Sequence, residues 1–263
     1  MKVLTWNIRR ATEESTDVWS EVQTLNPDVA LLQEVGGVPE VLLKSHRYFG
    51  FRAENKGGGK QAFETGILVR KGECIPVRLT SADPVLQHAL EAYAGNLVHV
   101  RWTDESRSVW NLLSVYSPAW PLFSFQKSIP KKYRRFKSEL SKDLWLTDLV
   151  HRYLHEHMNG ERWIVAGDFN SATTFSWEIG QNQEFIDNME AAGLTDAIFL
   201  KYGGPVPTFR HSRGSVLHQL DHFYLSEAAR DQLLDCQVLG DHGVFERRLS
   251  DHLPILVTWK KSE

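Results

Sequence analysis

The chain has 263 residues, 42% hydrophobic and 24% charged, an ordinary globular composition with enough apolar material for one sizeable core, so a single domain over residues 1–263 is expected. A formal charge of -3 excludes a globally basic coat for nucleic acid, and no run of about 18 apolar residues exists to cross a membrane. The opening MKVLTWNIRR lacks an apolar stretch followed by a small-residue cleavage site, and Cys74 and Cys236 are too few for a disulfide framework; the expectation is a cytoplasmic protein with reduced thiols and no stable membrane association.

In chain order, runs rich in Val, Ile, Leu and aromatics read as strands: KVLTWNI, DVALLQEV, TGILVRK, NLVHVRW, VWNLLSVY, WIVAGDF, QLDHFYL and PILVTW. Helical spacing appears between them, with Val18, Val22 and Leu25 on one face, then Phe136, Leu140 and Leu144, then Phe185 or Ile186 with Met189. The longest helix is expected from about Tyr133 to Met158. Gly57-Gly58-Gly59 lacks the Gly-Lys-Ser/Thr ending of a phosphate loop and reads as a mobile surface turn. Strands with helices interspersed irregularly predict an α/β protein of two packed mixed sheets with helices outside.

Hydrophilic residues recur where these apolar runs end. VLTWN ends in Asn7, VALLQE in Glu34, NLLSVY in Tyr116 and WIVAGDFN in Asp168 and Asn170, while Asp221 lies in QLDHFYL and Asp251-His252 precedes the last strand. Each taken singly is an ordinary turn or cap residue. Jointly they imply a shared cleft, because ionisable groups at the ends of core strands are costly unless paired, metal-bound or solvated.

Carboxylate and carboxamide oxygens are hard ligands suited to Mg2+, with Mn2+ as a substitute, and Glu34 is the leading candidate. A carboxylate beside an Asn, as in Asp168 and Asn170, suits orientation and deprotonation of water, and a His backed by an Asp suits a developing negative charge. Covalent catalysis fits poorly, since no Gly-x-Ser-x-Gly elbow occurs. His151 and His155 share a helix face but lack the Glu of a His-Glu-x-x-His zinc motif.

In the same order, TWNI, LLQE, SVYSP, VAGDFN, QLDHFYLS and LSDHLPI resemble the endonuclease/exonuclease/phosphatase superfamily of exonuclease III-like repair nucleases, deoxyribonucleases, sphingomyelinases and inositol polyphosphate 5-phosphatases. The resemblance implies a four-layer α/β sandwich with loops at one edge gathering these side chains around one or two divalent ions. Glu34 would hold Mg2+, with Asn7 and Asp251 as further ligands or orienting groups. Asp168 would activate water, Asn170 would position it or the phosphate, His252 paired with Asp221 would contact the phosphate, and Tyr116 would support the phosphate or leaving group; Asp168 and His252 exchange roles in competing mechanisms. Ile8-Arg9-Arg10 and Ala119 depart from the repair-enzyme pattern, so the resemblance does not extend to an abasic-site enzyme.

Three readings of function follow. The first is a Mg2+-dependent nuclease or nucleic-acid phosphodiesterase. It draws on KSIPKKYRRFK, Lys127 to Lys137, where Lys131, Lys132, Arg134 and Arg135 would track a backbone between Tyr133 and Phe136, and on Arg9 and Arg10 beside the metal. The second is a phosphoesterase of lipid headgroups or small phosphorylated molecules, drawing on the apolar PAWPLFSF stretch, Pro118 to Phe125. The third is a non-catalytic scaffold, against which stands the complete set of polar residues.

Overall fold

A computed structural model of the chain describes residues 1–177, 179–211, 217–240 and 243–260. Two six-stranded mixed sheets face each other. The first has the order β13 (Leu233–Val238), β14 (Ile255–Trp259), β1 (Lys2–Ala11), β2 (Val29–Val35), β4 (Lys60–Val69) and β3 (Arg47–Glu54). The second runs β5 (Glu73–Val77), β6 (Leu97–Thr103), β7 (Val109–Tyr116), β8 (Arg162–Asp168), β12 (Asp221–Ser226) and β9 (Leu194–Asp196). A short ribbon of β10 (Phe209–Arg210) and β11 (Leu217–His218) lies outside both.

Strand alternation sorts the apolar residues into layers. Val3, Val29, Leu31 and Ile67 from the first sheet meet Val98, Val100, Leu112, Ile164, Ala166 and Phe223 from the second, forming the core between the sheets. The outer face of the second sheet is covered by α3 (Pro84–Ala92), α5 (Leu146–His157) and α6 (Ile179–Ala191), through Leu86, Leu90, Leu149, Tyr153, Phe185 and Met189. The outer face of the first is covered by α1 (Thr16–Leu25), whose Val18, Val22 and Leu25 are buried as their spacing predicts, with Trp19 buried beside them. The result is the expected four-layer α/β sandwich.

The intersheet layer changes character along its length. Beyond the apolar middle, Gln33 donates to Ser114 Oγ at 3.1 Å and Thr5 Oγ1 at 3.4 Å, joining the two sheets through fully buried polar groups. One step further along the same alternation stand Asn7 on β1, Tyr116 on β7 and Asp168 on β8. The core thus grades from hydrocarbon to hydrogen bonds to ionisable groups at one end.

One expected element differs. No helix starts at Tyr133: a single 3-10 turn covers Lys132–Arg135, and α5 begins at Leu146. The buried Asp148 explains the late start, since its two carboxylate oxygens accept the backbone N–H groups of Ser138 at 3.0 Å and Trp145 at 2.8 Å and bind the intervening chain as a loop. Leu140, expected on a buried face, is 65% exposed. Gly57 and Gly59 lie at the tip of the β3–β4 hairpin, where both N–H groups bind Asn55 Oδ1. Both cysteines are buried and free. No helix among the described residues is long and apolar enough to cross a membrane.

Candidate active site

Backbone register places three of the candidate residues in one row. Tyr116 pairs with Asp168 across the parallel β7–β8 ladder, and Asp168 pairs with Asp221 across the antiparallel β8–β12 ladder. Paired residues present their side chains on the same face, so the three project together. Gly167 makes the approach possible: its φ is 148°, and a Cβ there would collide with the Val115 backbone of β7.

The first sheet supplies the facing side. The β1–β2 register breaks after Asn7 and Gln33, and the β2–β4 register breaks between Leu32 and Val35, which marks bulges at the ends of these strands. Arg9, Arg10, Glu34 and, in the loop after β8, Asn170 all have positive φ, of 49°, 59°, 52° and 47°. Such left-handed backbone in non-glycine residues costs about 1–3 kcal/mol each and clusters at functional sites. For Glu34 it has a direct consequence. Simple alternation would send Glu34 to the outer face behind Gln33; the bulge re-aims it into the cleft.

The side chains converge. Asn7 Nδ2 donates to Asp168 Oδ2 at 2.9 Å and reaches Glu34 Oε1 at 3.4 Å. His252 Nδ1 meets Asp221 Oδ2 at 2.8 Å, and its Nε2 lies 3.8 Å from Asp168 Oδ2. Asn170 donates through its backbone to Asp168 Oδ1 at 3.0 Å and through Nδ2 to the Ser117 carbonyl at 2.7 Å. Arg10 Nε stands 3.4 Å from Glu34 and Arg9 Nε 3.8 Å from Asp251. A cleft of about 410 Å³ opens over them, walled also by Ala119, Trp120 and Phe209.

Burial and charge set the protonation states. Burial opposes charge on His252, but Asp221 and Asp168 outweigh it and raise the imidazolium to about 10. Burial pushes the Asp168 carboxyl up to about 7, with Asp221 adding to the rise, while His252 and the Asn7 amide pull it down. Burial, Glu34 and Asp168 together hold the Tyr116 phenol far above its ordinary range, so its hydroxyl keeps its proton. The end of the sandwich therefore presents carboxylate, imidazolium and phenol within one cleft.

The family model described as Endonuclease/Exonuclease/phosphatase family matches residues 4–252. The chain belongs to that family. No curated protein matches it. Among solved structures, an AP endonuclease from Archaeoglobus fulgidus superposes with a TM-score of 0.68 at 14% identity, covering 99% of this chain and 100% of that one. The endonuclease domain of TRAS1, a telomere-specific non-LTR retrotransposon, gives 0.64 at 19% over 100% and 99%. The 3' phosphatase NExo from Neisseria, bound to a product DNA hairpin, gives 0.63 at 19% over 99% and 100%. At such identities the likeness shows the fold.

Within this family member, Asn7, Glu34, Tyr116, Asp168, Asn170, Asp221, Asp251 and His252 come together through the contacts and lining described above, along with Arg9 and Arg10. Lys131, Lys132, Arg134 and Arg135 do not line the cleft. Arg135 instead grips both oxygens of Asp83 at 2.7 Å, and the rings meant to flank the patch turn inward, Phe136 buried and Tyr133 half-buried against the helical layer. His151 and His155 remain a ring contact on α5, and the one described group of three or more His, Cys, Asp or Glu with ligand atoms all within 4.8 Å of one another is Asp168, Asp221 and His252.

Several residues that hold the site in place carry no sign of it in the sequence. Thr208 donates to Asp221 Oδ2 at 2.7 Å while accepting from the backbones of Leu220 and Asp221. Buried Asn96 clamps Tyr116, accepting its N–H through the backbone and donating Nδ2 to its carbonyl at 2.9 Å. Ser250 donates to the Asn7 carbonyl at 2.7 Å and accepts from His252 N, tying the last loop to β1. Ser, Thr and Asn in loops are common as turn residues, which conceals these roles.

Proposed function

We propose that this one-domain chain is a cytoplasmic, divalent-metal-dependent phosphodiester hydrolase acting on nucleic acid by attack of an activated water. The observation that carries the reading is the convergence of Glu34, Asn7, Asp168, Asp221 and His252 from five separate chain segments into one cleft. The donor set fits Mg2+ or Mn2+: the cleft offers hard carboxylate oxygens from Glu34, Asp168 and Asp251, Asn7 directs its Nδ2 at Glu34 and Asp168 while its Oδ1 accepts from Arg9 N at 3.0 Å, and buried Asp221 Oδ1 has no hydrogen-bond partner among the described residues. Glu34 would be the principal ligand, flanked by Asn7 and Asp251. When bound, the ion would supply charge to polarise the phosphoryl group and neutralise developing negative charge.

The chain's own groups supply the rest. Asp168 Oδ2 takes the proton from water, and a carboxyl pushed toward neutrality is well matched to that task. Asn7 and Asn170 fix its orientation through the contacts given above. His252, kept cationic by Asp221, faces the phosphate oxygens, where a positive charge in a buried site is most effective. Protonated Tyr116 donates to the phosphate or the leaving oxygen. Arg9 and Arg10 stand at the rim for neighbouring phosphates. The structural likeness to a DNA-bound phosphatase and to endonucleases supports nucleic acid as the substrate.

The test is a Mg2+-dependent assay on plasmid, single-stranded DNA, RNA and an abasic duplex. Hydrolysis by the wild type that disappears in Glu34→Ala and Asp168→Asn is expected, and unchanged cleavage in both variants would falsify the assignment. A second reading, hydrolysis of a small phosphorylated molecule or lipid headgroup, draws on the cleft volume of about 410 Å³, which lies in the range of small-ligand pockets. Inositol phosphates and sphingomyelin in the same assay decide between them.

A further inference from the structure

Trp120 stands on the wall of the cleft and has no described ring contact with another aromatic side chain. It is half-buried. Most other tryptophans here are nearly fully buried in the core, so a large ring left partly open beside the reacting groups is unusual for this molecule. Its backbone is unusually restrained. Pro118 and Pro121 flank the Ala119-Trp120 pair, and a residue before proline is confined to extended conformations.

The two roots of this short loop are tied to the site and to the scaffold. Ser117 N donates to the Asp168 carbonyl at 2.7 Å, and Asn170 Nδ2 binds the Ser117 carbonyl at the same distance. On the other side, Leu122 N donates to the Leu144 carbonyl at 2.8 Å, and Ser124 Oγ to the Lys56 carbonyl at 3.0 Å. An aromatic face held this firmly loses little freedom when it receives a ligand.

Charge on the cleft is sparse. Its arginines are Arg9 and Arg10, each already facing an acid, and the basic residues Lys131, Lys132, Arg134 and Arg135 lie elsewhere. A protein that neutralises about 6–10 phosphates of a duplex does so with Lys or Arg side chains along the backbone. Two arginines with one aromatic wall suit a different ligand, in which a phosphate sits by Arg9 and Arg10 and an open base face lies on a ring. In an intact duplex the base faces are covered by their neighbours.

Resting on the hydrolase reading above, we infer that Trp120 is a stacking platform for a nucleobase next to the scissile phosphate, so that the substrate is nucleic acid with an unpaired base at that position. Base–aromatic stacking of this kind is tolerant of sequence, so the subsite selects strandedness rather than a base identity.

The experiment compares kcat and KM of the wild type, Trp120→Ala and Trp120→Phe with Mg2+ on a single-stranded oligonucleotide, on its duplex, and on a strand of the same backbone lacking bases near the cut. The expected result is preference for the single strand, a rise in KM of about tenfold in Trp120→Ala confined to the base-bearing strand, and recovery in Trp120→Phe. Faster cleavage of the duplex by the wild type, or an equal loss on base-bearing and base-less strands, overturns the inference. A titration with oligothymidylate in EDTA, followed by tryptophan fluorescence, reads the subsite without turnover. Quenching that vanishes in Trp120→Ala supports it, and identical quenching or none in both proteins overturns it. Absence of hydrolysis on every strand, with that fluorescence difference intact, sinks the hydrolase reading and leaves the subsite standing.

Discussion

Two clefts open at opposite ends of the sandwich, and the larger lacks the buried cluster of acids and imidazole that the smaller contains. The far one encloses about 720 Å³ and is lined by Trp102, Trp110 and Trp259. Each indole N–H there is satisfied, by the Lys71 carbonyl at 2.7 Å, Asp104 Oδ2 at 2.9 Å and the Ala229 carbonyl at 2.7 Å. Its Lys71–Glu105 ion pair at 3.1 Å is exposed and contributes little, and Arg70 pairs with Asp28 at 2.7 Å, half-buried and without an imidazole beside it. The near cleft is smaller, yet Asp168, Asp221 and His252 are buried against one another there, burial raising the Asp168 carboxyl to about 7 and the two aspartates raising His252 to about 10. Cavity size reports how strands splay; buried ionisable groups held in mutual contact report chemistry.

The strongest way to break that contrast is to neutralise one acid at each end. Asp168→Asn keeps the shape and removes the proton acceptor, and kcat is expected to fall by about 10²–10⁴-fold. Glu34→Ala is expected to abolish heat release on Mn2+ titration as well as turnover. Asp104→Asn, at the far end, is expected to leave kcat within about twofold, as surface-type substitutions remote from a site do. Loss of turnover in Asp104→Asn with retention in Asp168→Asn would reverse the assignment of the ends.

Smaller effects sharpen the comparison. Thr208→Val deletes the hydroxyl that donates to Asp221 and accepts two backbone N–H groups. Hydrogen bonds to charged groups contribute about 1.5–3 kcal/mol, so kcat is expected to fall at least about tenfold as the Asp221–His252 pair loosens. The fall should exceed any change in KM. An unchanged kcat with a lowered melting temperature would make Thr208 purely structural.

How much of this was legible in the sequence follows from where each strand lies. KVLTWNI, DVALLQEV, TGILVRK, NLVHVRW, VWNLLSVY, WIVAGDF, QLDHFYL and PILVTW became β1, β2, β4, β6, β7, β8, β12 and β14, which are the interior strands of both sheets. The strands at the four edges, β3, β5, β9 and β13, escaped. An interior strand covered on both faces writes a continuous apolar run, whereas an edge strand such as ECIPV is half exposed and even carries Pro76. The polar strand ends were legible for the same reason, standing out against apolar text. Glu34 shows the limit: strict alternation favours Gln33, and it was the place of Glu34 at the end of the apolar run, not periodicity, that identified the residue the bulge turns inward. The position of the basic segment Lys127 to Lys137 was not legible, because composition carries no direction: Lys131, Lys132, Arg134 and Arg135 lie outside the cleft lining, and Arg135 pairs with Asp83.

The last prediction concerns stability rather than turnover, at a buried histidine away from either cleft. His99, on the outer face of β6, lies between the Tyr153 hydroxyl at 2.8 Å and Asn111 Oδ1 at 3.2 Å, against the Trp163 ring. Burial lowers it to about 4, where His252, equally buried but beside two carboxylates, is raised. Between pH 6.5 and 4 the unfolded chain takes up a proton that folded His99 refuses, so its contribution is complete above 6.5 and is lost as pH falls. The loss over that window is on the order of 3 kcal/mol, at 1.36 kcal/mol per unit. Asp148 acts with the opposite sign: burial raises its carboxyl to about 7, so the folded chain binds the extra proton and stability rises as pH falls. The two partly cancel in the wild type. Urea denaturation of His99→Gln should therefore show stability gaining relative to the wild type as the medium is acidified from pH 6.5 to 4, and a constant difference across that range would mean the buried ring is not held neutral.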